Sequence, residues 1–109
     1  MLTDTIKEEL IKGLCELLHE NLSMIILYGS VARNEATPES DIDIAIITKK
    51  DMDEEIRNKF ICWAVELDIR YDKVFSIIDI KEENMKKWGK VLPFYQNVQK
   101  EGVILWKAA

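Results

Sequence analysis

A chain of 109 residues with 48% hydrophobic and 32% charged residues has the composition of one globular domain. Its net charge of −5 argues against general affinity for phosphate backbones, which comes from clustered Lys and Arg. No apolar run approaches the roughly 20 residues needed to cross a bilayer, and the opening MLTDTIKEEL has neither the basic nor the apolar region of a signal peptide, so a soluble cytoplasmic protein is expected.

The first element is a helix. TIKEELIKGLCELLHEN sets Ile6, Leu10, Leu14, Leu17 and Leu18 at three-to-four spacing, with Thr5 and Glu8 placed as a capping box. Gly13 weakens it slightly, and His19 sits near its polar end with no role assigned. SMIILY, from Ser23 to Tyr28, is a continuous apolar run ending at Gly29, which suits a strand covered on both faces. A short helical segment after Ser30 leads through Glu35, Thr37, Pro38 and Ser40 to DIDIAIIT, a second strand from about Ile42 to Thr48.

DMDEEIRNKFICWAVELDI places Asp51 and Glu54 in capping positions and lines Met52, Ile56, Phe60, Trp63, Ala64 and Leu67 on one helix face. YDKVFSIIDI reads as a strand, KEENMKKW and FYQNVQKE as helices around Gly89 and Pro93, and VILW after Gly102 as a last strand. The order α, β, short α, β, α, β, α, α, β predicts an α/β (α+β) fold: a small mixed sheet flanked by helices. Cys15 and Cys62 lie in helical patterns and read as reduced core residues. The aromatics Tyr28, Trp63, Phe75, Trp88 and Trp106 read as core, and the lysines gathered in the last third as solvated helix faces.

The chemistry concentrates between Tyr28 and Ile47, in YGSVARNEATPESDIDIAII. Gly29 allows close backbone approach or positive φ, the amides opening the next turn would face an anion, and Ser30 adds a hydroxyl donor. By itself this Gly-Ser pair reads as an ordinary turn. Ten residues later come Asp41 and Asp43, whose i, i+2 spacing in an extended segment puts both carboxylates on one face, with Ile42, Ile44 and Ile46 on the other. Two like charges side by side either stay exposed at the start of the strand or need a divalent cation, and hard oxygen ligands of this kind suit Mg²⁺ shared with substrate phosphates. Arg33, one helical turn past Ser30, could pair with a phosphate or with Glu35 or Glu39.

The stretch GSVARNEATPESDIDIAII resembles the signature of the DNA polymerase β-like nucleotidyltransferase superfamily, and of its minimal nucleotidyltransferase (MNT) members in particular. PFYQNVQKEGVILW is similar to the tail of the same small family. The resemblance implies one nucleotidyltransferase domain over residues 1–109, with ATP as substrate. It gives Gly29 and Ser30 to the nucleotide, where Arg33 is the candidate phosphate partner by its spacing, and Asp41 and Asp43 to Mg²⁺ and the phosphates. It further implies a third carboxylate on a neighbouring strand: Asp72 is preferred, Asp79 is the alternative seven residues on, where it falls on the other face of a regular strand, and Asp68 is an outsider.

So short a chain has no visible acceptor-binding domain. In the MNT family the acceptor is a partner HEPN ribonuclease toxin, and the resemblance implies an antitoxin that transfers AMP from ATP to a tyrosine hydroxyl of that toxin with release of pyrophosphate. Two alternatives stand beside it. One is a nucleotidyltransferase acting on a small molecule or an RNA end; the other is an antitoxin that neutralises its partner by contact alone.

Overall fold

A computed structural model describes residues 2–33, 35, 37 and 40–109. Helix α1 (Asp4–Leu18) is followed by a 3-10 turn (His19–Asn21) and strand β1 (Leu22–Tyr28). One turn of helix, α2 (Gly29–Ala32), precedes β2 (Ile42–Thr48), and α3 (Glu54–Tyr71) connects it to β3 (Phe75–Lys81). Helices α4 (Glu82–Trp88) and α5 (Pro93–Glu101) lead to β4 (Val103–Lys107). The sheet order is β3-β2-β1-β4, with β2 and β3 parallel and β1 antiparallel to both β2 and β4. The expected mixed sheet is therefore present. Among the described residues no helix is long and apolar enough to cross a membrane.

The alternation of β1 and β2 serves two cores. Ile25 and Leu27 of β1, Ile42, Ile44 and Ile46 of β2, and Phe75 of β3 pack under the buried stripe Ile6, Leu10, Leu14 and Leu18 of α1 and under Phe60 and Leu67 of α3. Residues of opposite parity, Ile26, Ala45, Ile47 and Ile80, form a smaller core with Met85 of α4 and Tyr95 and Val98 of α5. A strand covered on both faces reads as a continuous apolar run, which is what ILY and IAII show.

Several boundaries differ from the sequence reading. The cap of α1 is Thr3, whose Oγ1 accepts from the Ile6 amide at 3.2 Å, rather than Thr5, and the cap of α3 is Asp53, accepting from the Ile56 amide at 2.8 Å, rather than Asp51. In each case a second Ser, Thr or Asp two residues away offers the same local chemistry, and packing of the helix chooses between them. The segment YDKV is not strand. Tyr71 ends α3, Asp72 caps it in the left-handed conformation (φ 50, ψ 47), and β3 begins at Phe75. Cys62 is exposed rather than core, on the same outward side of α3 as Ile61, Val65 and Ile69.

Gly13 makes room for a side chain from the facing helix. A Cβ there would lie 2.5 Å from the indole Nε1 of Trp63, which packs against the first core. Helix propensity alone favours Ala over Gly by about 1 kcal/mol, whereas overpacking costs about 1–3 kcal/mol. Gly13→Ala is therefore expected to destabilise the fold, by about 1 kcal/mol in urea denaturation followed by circular dichroism; a rise in the denaturation midpoint would contradict this packing.

Candidate functional site

The β1–β2 register sets Tyr28 opposite Asp43, so the residue that turns the chain out of β1 is Gly29. Gly29 has φ 76, the left-handed region, and a Cβ built on it would collide with the Asp43 carboxylate. Both facts require glycine: one through backbone conformation, the other through space. Asp43 thus rests directly against the bare α-carbon of the turn. The turn itself is closed by the Arg33 amide donating to the Gly29 carbonyl at 3.1 Å and the Glu35 amide donating to the Ser30 carbonyl at 2.9 Å.

On the other side, the parallel pairing places Ser76 of β3 beside Asp43. Tyr28, Asp43 and Ser76 therefore form one row across three strands, on the sheet face that α4 and α5 cover further along. The Tyr28 ring meets Phe94 of α5 edge-on, at 5.9 Å and 87°, so the start of α5 walls the β1 side. Asp41 precedes β2 and is exposed. A small turn holds the approach to it: the Thr37 amide donates to Ser40 Oγ at 2.9 Å, and the Ser40 amide to the Thr37 carbonyl at 3.0 Å. Pro38, expected in that return, and Glu39, an expected alternative partner of Arg33, lie outside the described residues.

The Asp43 carboxylate is held in an unfavourable setting. Burial, and then the neighbouring charge of Asp41, hold the Asp43 carboxyl above its ordinary range, while Arg33 pulls it back down. Burial and the Asp43 charge likewise push the Tyr28 phenol up. A divalent cation would relieve this, and two carboxylates with space for phosphate and water oxygens are a donor set of the kind Mg²⁺ takes.

Other expected residues fall elsewhere. Arg33 pairs with Glu35 at 3.3 Å and with Glu101, the last residue of α5, at 3.0 Å. Asp72 is not brought to the pair: the helix carries on to Tyr71, and Asp72 is spent as the exposed helix cap before β3 begins. Asp79 pairs in register with Ile46, a residue of the first core, and so lies on the opposite sheet face, where it bridges Arg57 of α3 at 2.8 Å. Asp68 accepts the Phe75 amide at 2.9 Å, which fixes the turn into β3. Among the described residues no group of three or more His, Cys, Asp or Glu side chains is arranged to hold a metal ion. No motif in the sequence marks Ser76; the parity of β2 against a parallel neighbour points to it only once the start of β3 is known.

The sequence profile of the family described as "Nucleotidyltransferase domain" matches residues 7–104. A protein of Methanocaldococcus jannaschii assigned as a protein adenylyltransferase is 34% identical over 102 residues, covering 91% of this chain and 93% of its own length. The chain belongs to the nucleotidyltransferase domain family. A second M. jannaschii protein with the same assignment is 32% identical over 75 residues, which cover 69% of this chain and 76% of its own. Among solved structures, a toxin–antitoxin crystal structure with AMP-PNP contains a chain with TM-score 0.66 and 24% identity, matched over 94% of this chain and 73% of that one. The complex of tri-AMPylated Shewanella oneidensis HEPN toxin with MNT antitoxin gives TM-score 0.60 and 23% identity, over 94% of this chain and 70% of that one. These likenesses confirm the expected nucleotidyltransferase fold.

Because its pKa is raised on folding, Asp43 binds a proton more tightly in the folded chain than in the unfolded one, so stability falls as pH rises through the window between the two values. At pH 7 the ionised group is a cost to the metal-free fold. Asp43→Asn should therefore raise the metal-free Tm by about 2–4 °C at pH 7, and the advantage should fade as the pH is lowered through that window; an unchanged or lower Tm at pH 7 would count against a strained carboxylate.

Proposed function

We propose that this chain is a minimal nucleotidyltransferase that transfers AMP from ATP to a hydroxyl of a partner protein, a HEPN-type toxin, and so acts as its antitoxin in the cytoplasm. The observation that carries the reading is the Asp41–Asp43 pair set against the positive-φ Gly29 turn. The M. jannaschii relatives assigned as protein adenylyltransferases support it, as do the structural neighbours, which are toxin–antitoxin complexes.

Asp41 and Asp43 would hold Mg²⁺, which when bound neutralises the carboxylates and draws charge from the phosphates. Gly29 and Ser30 would receive the phosphates at the turn, where the positive φ of Gly29 brings the backbone round beside Asp43. Arg33 would exchange Glu35 and Glu101 for a phosphate, a better partner for a bidentate guanidinium than two half-exposed carboxylates. In the step itself the acceptor oxygen attacks the α-phosphorus while the bond to the bridging oxygen of the β-phosphate breaks. Pyrophosphate leaves with that electron pair, and the hydroxyl proton passes to solvent.

A protein acceptor fits the shape of the chain. Two concavities of about 1070 Å³ and 430 Å³ lie elsewhere, one at the Leu18–Leu22 end of the sheet and the other between the sheet and α4 and α5. Neither is lined by Gly29, Ser30, Asp41 or Asp43, and Asp41 is exposed, where a protein acceptor can reach it.

The test is to purify the chain with the product of its neighbouring gene, add ATP and Mg²⁺, and weigh the partner. Addition of one or more AMP units that falls at least 100-fold in rate with Asp43→Asn is expected. Inhibition of the partner that survives in Asp43→Asn, with no adduct in either protein, would replace this reading with neutralisation by contact; AMP found instead on a small molecule or an RNA end would replace the acceptor.

A further inference from the structure

The parallel register between β2 and β3 fixes which residue looks at Asp43 from the neighbouring strand. That residue is Ser76, with Ile78 inward of it on the same face and Val74 just before the strand begins. Val74 is tied to the site by the Ile42 amide, which donates to its carbonyl at 2.9 Å, and is 55% exposed. Of the acids that flank this strand, Asp68 bonds the Phe75 amide and Asp79 faces Arg57 across the opposite side of the sheet, while Asp72 stands exposed before the strand begins, its backbone N–H capping α3, and forms no three-acid group with Asp41 and Asp43. Glu35 and Glu101, beyond α2, are bridged to Arg33.

We propose that the site is built for a single divalent cation shared with the nucleotide, and that Ser76 is the residue that makes it so. This rests on the reading of Asp41 and Asp43 as metal ligands. Mg²⁺ is satisfied by one or two carboxylates together with phosphate oxygens and water, so the pair suffices for one ion. A second ion about 3.5–4 Å away, as in two-metal sites, needs another anion close by. From β3 it would meet a neutral hydroxyl, which binds a hard divalent cation far more weakly than a carboxylate does. What β3 itself presents beside Asp43 is accordingly neutral: Ser76 Oγ offers a hydrogen bond to the incoming hydroxyl, and the proton of that hydroxyl goes to water.

The probe is Mn²⁺ bound to the full chain saturated with a non-hydrolysable ATP analogue, followed by electron paramagnetic resonance and calorimetry. The wild type should show an isolated ion and no exchange-coupled pair at any Mn²⁺ concentration that leaves the chain folded. Ser76→Asp should bind a second Mn²⁺ at least tenfold more tightly and give a coupled-pair spectrum, while Ser76→Asn, of the same size without the charge, should not. A coupled pair in the wild type overturns the proposal, as does a Ser76→Asp chain that folds by circular dichroism yet binds one ion as before. Should Ser76→Asp fail to fold, the wild-type spectrum decides alone. Asp43→Asn separates the two levels: if it leaves the protein-bound Mn²⁺ unchanged, the placing of the metal at Asp41 and Asp43 fails, whereas loss of that ion with no response to Ser76→Asp sinks only the role of Ser76.

Discussion

The Asp43 carboxylate lies against the α-carbon of Gly29, and much else in the molecule follows from that contact. β2 gives Ile42, Ile44, Ala45, Ile46 and Ile47 to two hydrophobic cores, so the one acid it carries into the sheet has to sit near its end, where the neighbouring strand has just turned away. The turn must be glycine, because any Cβ would occupy the carboxylate's space and positive φ disfavours other residues. The antiparallel register then dictates that Tyr28 flanks the acid on one side, and the parallel register that Ser76 flanks it on the other. Shifting either pairing by one residue would carry Asp43 into the apolar layer under α1 and α3.

That arrangement conflicts with what stability alone would select. Desolvation and a like charge both oppose ionisation of Asp43, and the only described cation acting against them, Arg33, is bridged to two other acids. A sheet of this kind holds the strained pair because its other alternate positions are well filled. Ile25, Ile44, Ala45 and Ile46 are entirely buried, and they hold the strands in register whatever the charge at the open end does. Local rules are broken at one corner, and consistency elsewhere tolerates it.

Sequence reading was most successful where one periodicity dominates. β2 was placed at its observed bounds because DIDIAIIT both alternates and ends in a long apolar run, and α1 because four buried residues recur at helical spacing. The nucleotide side of the site was legible for the same reason, since Gly29, Ser30, Asp41 and Asp43 sit at the ends of two strands whose pairing is local. The β3 side was not legible. Whether YDKV continues a helix or opens a strand depends on Asp68, which bonds the Phe75 amide and fixes the turn, and no pattern announces such a side-chain hydrogen bond. Moving the start of β3 from Tyr71 to Phe75 costs Asp72 its place in the sheet. The exposure of Cys62 was missed similarly: α3 is apolar on its outward stripe as well as its inward one, which blurs the contrast that amphipathicity depends on.

The Arg57–Asp79 bridge bears on how a mutational scan of this chain is to be read. It spans α3 and β3 on the face away from the site, and both partners are partly solvated, which limits its worth to about 1 kcal/mol or less. Asp79 is nevertheless the one acid that lies within β3, which makes it a candidate partner for Asp41 and Asp43 in any comparison of sequences. Deleting it removes a brace between helix and strand and leaves Arg57 without its partner; any drop in activity would then arrive as lost folded protein, with the surviving fraction turning over normally. A dose of active sites is the control that distinguishes such a brace from a member of the site.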